Sequence, residues 1–271
     1  MVARQVIDFA SPIASDTEGR VWTDIRAAAQ LRADEQPRLA TLLHPILAAK
    51  TGRQMLIGTL AARLAHTAGD RALAAKVLAS TEDGALLEET EADLLAIVTR
   101  DPANPDPLTV LLHLKGFQAL QVHRFAHRLW QAGRMEGARW LSSQASLAFG
   151  LDIHPAARMG RGIMLDHGSG IVIGETVVVE DDVSMLQQVT LGGTGRDKGD
   201  RHPKVRRGVL IGAGAKILGN IEIGAYSKIA AGSVVLEPVP AHTTVAGVPA
   251  RIVRVHSEDE MPAATMDHRI D

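Results

Sequence analysis

Residues 151–194 read LDIHPAARMGRGIMLDHGSGIVIGETVVVEDDVSMLQQVTLGGT, and apolar residues recur in this stretch at every sixth position. The recurring residues are Ile153, Met159, Leu165, Ile171, Val177, Val183 and Val189. After a gap the same interval resumes with Val205, Ile211, Ile217, Ile223, Ile229 and Val235. Thirteen apolar residues at thirteen positions are not expected by chance when 46% of the chain is hydrophobic. A period of six predicts a parallel β-helix of hexapeptide repeats, in which each short strand stacks on its equivalent in the next coil.

One long interruption divides the repeat. The hexapeptide that begins at Val189 is complete at Thr194, and the next begins at Val205, so residues 195–204 form an inserted loop that is polar and rich in glycine. Insertions in a solenoid lie on its surface, where loops on a rigid scaffold often carry function. The pattern alone does not distinguish a functional loop from a solvated one.

The sequence before Gly150 has a helical period instead. Apolar residues follow one another at helical spacing, and glycine is sparse. Examples are Leu56, Leu60, Leu64 and Ala68, and also Leu111, Leu114, Phe117, Leu120, Phe125 and Leu129. The segment 101–107 contains three prolines and cannot continue a helix. Breaks and caps of this kind predict about six helices in this half.

These two textures divide the chain into three parts. We predict an all-helical domain over residues 1–149 and a β-helix over residues 150–255 that carries the inserted loop. The last part, residues 256–271, is polar and lacks the repeat, so we expect a flexible tail.

Composition excludes several classes of function. The 271 residues include no cysteine, which excludes disulfides, thiolate metal sites and cysteine nucleophiles. The formal net charge is −2 with no block of like charges, so we expect neither a nucleic-acid nor a membrane-surface partner. Residues 1–20 lack the apolar core of a secretory signal, and no run of about 18 apolar residues predicts a membrane span. We therefore expect a cytoplasmic protein.

The histidines of the repeat half are the sharpest candidates for a catalytic base: His154, His167, His202 and His242, with His256 and His268 in the tail. His167 follows Leu165, which the repeat points inward, so Asp166 and His167 are expected at the outer surface. General-base catalysis needs an imidazole that titrates near neutral pH and a carboxylate that fixes its tautomer. Asp152 lies fifteen residues before His167, three short of a coil of three hexapeptides, and can approach it across adjacent rungs.

Other polar residues have competing interpretations. His123 and His127 share one face of a helix, but no acidic residue completes a metalloprotease pattern, so helix packing is favoured over a zinc pair. Asp101 lies in the proline-rich connection, where it can serve either as a ligand-binding residue or as a helix cap.

Long strings in both halves resemble the sequences of serine acetyltransferases. In the repeat they are DIHPAA (152–157), GRGIMLDHGSGIVIGET (160–176), VTLGGTG (189–195), GDRHPK (199–204), IGAGAKILGN (211–220) and AGVPAR (246–251). In the helical half they are TRDPA (99–103) and LKGFQALQ (114–121). The resemblance covers about residues 22–255, and the strings around His167 and His202 are its most specific part.

The resemblance implies a fold, a reaction and a set of site residues. The β-helix would be left-handed, and the enzyme would transfer the acetyl group of acetyl-CoA to the hydroxyl of L-serine. His167 would be the general base and Asp152 its orienting partner. Serine would be held by residues that also bind L-cysteine as a feedback inhibitor: Asp101, Asp166, Arg201 and His202. The groove for CoA would be lined by Gly193, Thr194, Ala213, Lys228 and Ala231, and no metal is implied. The role of Glu175 stays open.

The resemblance also implies partners. Three β-helices would associate side by side with active sites between neighbours, and two such trimers would join through the helical domains. Many relatives bind O-acetylserine sulfhydrylase through a terminal isoleucine carboxylate. Here Ile270 is followed by Asp271, whose extra charge an apolar pocket would have to bury, so we expect weak or no binding to the sulfhydrylase.

Three alternatives remain at this point. A hexapeptide acetyltransferase could act on another hydroxyl, on a sugar, homoserine or a drug, but would have no reason for the helical domain. A zinc-dependent carbonic anhydrase on a similar solenoid would need three converging histidines, for which His154, His167 and His202 are the candidates. A third class is a scaffold that binds a partner without catalysis.

Overall fold

The structure is a computed structural model that describes residues 19–81, 84–103, 105–196 and 198–270. Residues 1–18, in which we expect no secretory signal, lie outside the described residues, and so does Asp271. Within the described part, no helix is both long and apolar enough to cross a membrane.

Eight α-helices precede the β-helix among the described residues, where the sequence predicted about six. They are α1 (Arg20–Glu35), α2 (Ala40–Leu47), α3 (Gly52–Leu64), α4 (Ala68–Ala79), α5 (Leu86–Arg100), α6 (Pro107–His113), α7 (Lys115–Gln131) and α8 (Met135–Phe149). Apolar residues at helical spacing run from one helix into the next, so the sequence pattern did not show where helix caps separate them. Ala68 belongs to α4 rather than to α3, because Thr67 and Asp70 form a capping box that starts a new helix. In the same way the series from Leu111 crosses from α6 into α7.

The second half is a parallel β-helix with three faces, as predicted. Its strands are β1 (Asp152–Ile153), β2 (Arg158–Met159), β3 (Met164–Leu165), β4 (Val172–Ile173), β5 (Val178–Val179), β6 (Ser184–Met185), β7 (Thr190–Gly192), β8 (Lys204–Val205), β9 (Leu210–Ile211), β10 (Lys216–Leu218), β11 (Glu222–Ile223), β12 (Lys228–Ile229), β13 (Val234–Val235), β14 (Thr243–Gly247) and β15 (Ala250–Val255). Sheet A is β1-β4-β7-β10-β13, sheet B is β2-β5-β8-β11, and sheet C is β3-β6-β9-β12-β14-β15. The last pair, β14 with β15, is antiparallel, and it closes the end of the solenoid.

The strand register corrects one sequence prediction. Ile153 pairs with Ile173, not with Ile171, so the first coil has twenty residues, whereas the coil from Ile173 to Leu191 has eighteen. In a regular hexapeptide a second apolar residue points inward four places after the strand position, as Val177 does after Ile173. After Leu165 the two extra residues move this second position to Ile171, six places on. The six-residue series in the sequence therefore follows the strand positions up to Leu165 and the second inward positions from Ile171 up to the inserted loop. Both kinds of position are apolar, so the series shows no break where the two extra residues lie.

A fully buried ion pair joins the two halves. The guanidinium of Arg124 on α7 binds both carboxylate oxygens of Asp93 on α5, at 2.8 and 2.9 Å, and also the carbonyl of Gly160 at 2.6 Å. The amide of Ile163 donates to Asp93 at 2.9 Å. This contact fixes α5 and α7 against the first coil. Removal of one partner would leave the other as an unpaired buried charge, which would destabilise the fold by about 3–5 kcal/mol.

The segment after Ser257, expected to be a flexible tail, makes defined contacts in the structure. A short helix α9 (Pro262–Thr265) packs against α5, and the carbonyl of Ala263 accepts a hydrogen bond from the Ser184 hydroxyl at 2.9 Å. Further along, the carbonyl of Arg269 accepts from the ammonium of Lys228 at 2.7 Å. The polar composition hid these contacts, because they use backbone carbonyls, which every residue supplies.

Candidate active site

His167 lies in the turn between β3 and β4, which holds the two extra residues of the first coil. We call residues 166–171 the turn, and the edge between sheets C and A on which it lies the turn corner. The amide of Gly168 donates to the carbonyl of Asp166 at 2.6 Å, and His167 has φ +55°, so His167 is the central residue of a γ-turn. Its side chain is 73% exposed. The extra residues therefore push the imidazole out from the regular surface of the solenoid.

The carboxylate beside this imidazole in a single chain is that of Asp166. Its Oδ2 is 3.9 Å from Nε2 of His167. Asp152, the predicted orienting partner, is exposed on β1, and its amide donates to the carbonyl of Ile171 at the end of the turn. Asp152 also contributes to the electrostatic surroundings of His154. The pairing of Asp152 with His167 thus stays a prediction.

Arg201 and His202 lie on a different edge of the β-helix. The chain needs fourteen residues to pass from Leu191 to Val205, instead of six, and residues 193–203 form what we call the loop. The edge between sheets A and B on which it lies is the loop corner. Nη2 of Arg201 is 2.9 Å from Oε2 of Glu175, and this ion pair holds the pKa of Glu175 below its ordinary value.

The imidazole of His202 is packed into the preceding coil. Its Nδ1 is 2.9 Å from the Thr176 hydroxyl and accepts from the Thr176 amide at 3.2 Å. A Cβ on Gly174 would lie 2.2 Å from Nε2 of His202, so this ring position requires glycine there. Burial, followed by the nearby charge of Arg201, lowers the pKa of His202, so the ring is held neutral at physiological pH.

Asp101 ends α5, because Pro102 cannot continue the helix and the Asp101 carboxylate instead accepts from the Ala103 amide at 2.8 Å. The preceding residue, Arg100, donates to the carbonyl of Gly162 at 2.9 Å and is 3.1 Å from Asp182. The end of α5 is thereby fixed against the residues that lead into β3 and β6 of sheet C.

Four of the five residues predicted to line a CoA groove fall into two groups on the two corners, and the fifth, Lys228, lies apart from them. Gly193 and Thr194 begin the loop. Ala213 and Ala231 lie on the turn corner in successive coils, where the amide of Gly232 donates to the Ala213 carbonyl. Lys228 is buried in sheet C, and burial lowers its pKa.

One chain therefore does not assemble all the predicted site residues. Sheet A lies between the turn corner and the loop corner, so His167 is separated from Arg201 and His202. The three histidines proposed for a zinc site are divided in the same way. Among the described residues, no group of three or more potential ligands is placed to hold a metal ion.

Sequence reasoning left Glu175 and Gly174 without a role. Glu175 and Thr176 lie two and three residues after the end of β4, one coil before Arg201 and His202. Glu175 contacts Arg201, and Thr176 contacts both Arg201 and His202. The signal was available in the repeat, since residues at equivalent places in successive coils are neighbours. The inserted loop obscured it by hiding which coil position Arg201 occupies.

Comparison with known proteins supports one family across both halves. Residues 21–122 match the family described as serine acetyltransferase, N-terminal, and residues 202–237 match the bacterial transferase hexapeptide family. A curated serine acetyltransferase from Salmonella typhimurium is 51% identical over 256 residues, which is 93% of each chain.

Solved structures agree with the sequence comparison. A serine acetyltransferase from Brucella abortus in complex with coenzyme A is 47% identical, with a TM-score of 0.82 over 88% of this chain and 96% of that one. A serine acetyltransferase in complex with cysteine is 48% identical, with a TM-score of 0.86 over 93% of this chain and 99% of that one. The predicted helical domain and left-handed β-helix are confirmed as the fold class. The chain belongs to the serine acetyltransferase family.

Proposed function

We propose that this protein transfers the acetyl group of acetyl-CoA to the hydroxyl of L-serine, giving O-acetyl-L-serine and CoA. The observation that carries the proposal is the position of the two irregular coils. The β-helix exceeds eighteen residues per coil at the turn and at the loop, which hold the candidate base and the candidate carboxylate-binding pair. Relatives that are about 50% identical across both domains are named serine acetyltransferases.

In the proposed reaction His167 is the general base. It takes the proton from the serine hydroxyl as the serine oxygen attacks the thioester carbonyl carbon, and a tetrahedral intermediate forms. The carbon–sulfur bond then breaks, and the imidazolium returns its proton to the departing CoA sulfur. An imidazole that is mostly exposed, on a turn raised from the surface, suits a base that must reach two substrates. Asp152 would stabilise the imidazolium from a neighbouring position.

Serine would be held by opposite charges at its two ends. Arg201, already oriented by Glu175, can bind the α-carboxylate through two parallel hydrogen bonds. Asp101 and Asp166 would bind the α-ammonium, and His202 would lie beside them. L-Cysteine presents the same ammonium and carboxylate, which is why we propose that it inhibits by occupying this site. The complex of a relative with cysteine supports this part of the proposal.

The separation of the two corners supports a site shared between subunits. If β-helices associate side by side, the turn corner of one chain can face the loop corner of its neighbour and reunite His167 with Arg201. The two groups of predicted CoA residues would be reunited in the same way, since Gly193 and Thr194 lie on the loop corner and Ala231 on the turn corner. We therefore propose a trimer, or a dimer of trimers, as the active form.

An acceptor screen tests the proposed reaction. Release of the CoA thiol would be followed with acetyl-CoA and, in turn, L-serine, L-threonine, L-homoserine and a panel of sugars. We expect serine to be preferred by at least about tenfold in kcat/KM, because neither a sugar nor a longer side chain places both charges and the hydroxyl correctly. Preference for homoserine or a sugar would support the alternative hydroxyl acceptor, and no thiol release would support a scaffold.

Two further sequence predictions also stay predictions. Weak binding to O-acetylserine sulfhydrylase depends on Asp271, which lies outside the described residues. A cytoplasmic location is likewise an expectation from the sequence.

A further inference from the structure

The turn that presents His167 is strained. A γ-turn with positive φ at its central residue is rare, and a residue other than glycine held in such a conformation costs about 1–3 kcal/mol. His167 has φ +55°, and it is followed by Gly168 at +75° and Gly170 at +72°. A conformation of this kind persists only where the surrounding structure holds it. What holds this turn therefore decides where the imidazole lies.

Backbone hydrogen bonds hold the end of the turn. The Gly170 amide donates to the Gly150 carbonyl at 2.7 Å, and the Gln188 amide donates to the Ser169 carbonyl at 2.8 Å. The first bond ties the turn to Gly150, which caps the end of α8 where the β-helix begins, and the second ties it to the next coil.

The start of α7 holds the turn from the other side. The ammonium of Lys115, the first residue of α7, donates to the hydroxyl of Ser169. Gly116 makes the approach possible, because a Cβ there would lie 1.9 Å from the carbonyl oxygen of Leu165. The Gly116 Cα is itself 3.2 Å from the position of a Cβ on Gly168. The first turn of α7 is thus pressed against the backbone on both sides of His167.

A lysine is electrostatically misplaced at this position. The N-terminal turn of a helix carries partial positive charge and disfavours a cation by about 0.3–1 kcal/mol. The first turn of α7 has no acidic residue to compensate. The contact with Ser169 gives the ammonium a function that a helix-stabilising residue would not provide.

We propose that Lys115 is a positioning residue for His167, acting through Ser169. The helical domain then sets the place of the base, in addition to any part in assembly. This inference rests on the proposed role of His167 as the general base. It predicts that loss of the Lys115 ammonium slows the chemical step and leaves the binding of both substrates nearly unchanged.

Steady-state kinetics and hydrogen exchange of the full-length protein together test this role. We expect Lys115→Met to lower kcat by about tenfold or more, with KM for serine and acetyl-CoA within about twofold, because a misplaced base affects mainly the transition state. Ser169→Ala should behave alike, and the double variant should be no slower than the slower single variant. Lys115→Arg should recover part of kcat. Lys76→Met, exposed on α4, is the matched control and should leave kcat unchanged.

Hydrogen exchange is measured without substrate, on a peptide that spans residues 160–175. Lys115→Met and Ser169→Ala should both speed exchange in this peptide, whereas exchange around the loop should stay as in the unsubstituted protein. Unchanged kcat in Lys115→Met, or a raised KM with unchanged kcat, would overturn the inference even if the protein acetylates serine. An unsubstituted protein that does not acetylate serine would instead overturn the proposed function, while exchange would still report whether Lys115 holds the turn.

Discussion

The turn and the loop are both longer than the regular coil, but they are held in opposite ways. The turn adds two residues, contains a strained γ-turn at His167, and is pressed by the helical domain through Lys115. The loop adds eight residues and is held by contacts of its own side chains with the coil before it, through Glu175 and Thr176.

This difference matches the two proposed tasks. A general base must be placed accurately relative to the reacting atoms. A short turn that packs against a second domain restricts the position of the imidazole. Residues that grip a charged substrate tolerate more adjustment, because charge-assisted hydrogen bonds act over several orientations of a side chain. The comparison predicts that changes in the turn lower kcat, whereas changes in the loop raise KM for serine.

The largest expected effect is that of His167→Ala. Loss of the general base should lower kcat by about 10²–10⁴-fold and leave KM for acetyl-CoA nearly unchanged. Asp152→Asn should have a smaller effect, because the imidazole remains. Rates are measured by thiol release at saturating substrates, with His66→Ala, exposed in the helical domain, as the control. Near-normal kcat in His167→Ala would show that His167 is not the general base.

A change in the loop should give the opposite kinetic signature. Arg201→Ala should raise KM for serine by about 10- to 100-fold, because a hydrogen bond to a charged group contributes about 1.5–3 kcal/mol. It should weaken cysteine inhibition by a similar factor, since both ligands present the same carboxylate. Arg158→Ala, exposed on β2, provides a control for the loss of one positive charge. If serine binding collapsed while cysteine inhibition persisted, the two ligands would not share a site.

A smaller effect in the same direction is expected for Gly174→Ala. The new methyl group would lie 2.2 Å from Nε2 of His202, so the imidazole must shift. We expect KM for serine to rise by about three- to tenfold with little change in kcat, since the base on the turn is untouched. Gly69→Ala on α4, where a Cβ meets no atom closer than 3.7 Å, is the matched control. Equal KM values for the two variants would argue against a role for His202 in binding serine.

The smallest effect concerns the junction between the two domains. Burial, followed by the nearby charges of His127 and Arg124, lowers the pKa of His123 well below 6.5, and burial also lowers the pKa of His127 and His154. Below about pH 6.5 these histidines therefore bind more protons in the unfolded chain than in the folded one. As the pH is lowered, the free energy of unfolding decreases by up to about 1.4 kcal/mol per pH unit for each such histidine. Thermal unfolding at pH values between about 7.5 and 5.5 should show Tm falling on acidification, with a shallower slope in His123→Gln. An identical slope in the variant would contradict this assignment.

Much of the architecture was predictable from spacing. The change from a helical period to a period of six at Gly150 gave the order of the two domains, and the outward position of His167 followed from the inward position of Leu165. The loop itself was visible because it interrupts the repeat, whereas the roles of Arg201 and His202 came from the resemblance to serine acetyltransferases and stay predictions. Spacing predicts structure where side-chain pattern and backbone geometry have the same period.

Other features left no mark on the pattern. The two extra residues of the turn were hidden because Ile171 and Ile173 are both apolar and both point inward. The contact of Lys115 with Ser169 joins residues 54 positions apart, which no local spacing reveals.

If two subunits complete one active site, oligomers that combine two impaired variants should regain activity. His167→Ala and Arg201→Ala chains with different affinity tags would be co-expressed, and oligomers with both tags purified in two steps. In a mixed trimer about one third of the interfaces pair an intact turn with an intact loop, so activity at low serine should recover to about that fraction of the unsubstituted enzyme. Activity no higher than that of the two parent variants would show that the turn and the loop do not act together across subunits.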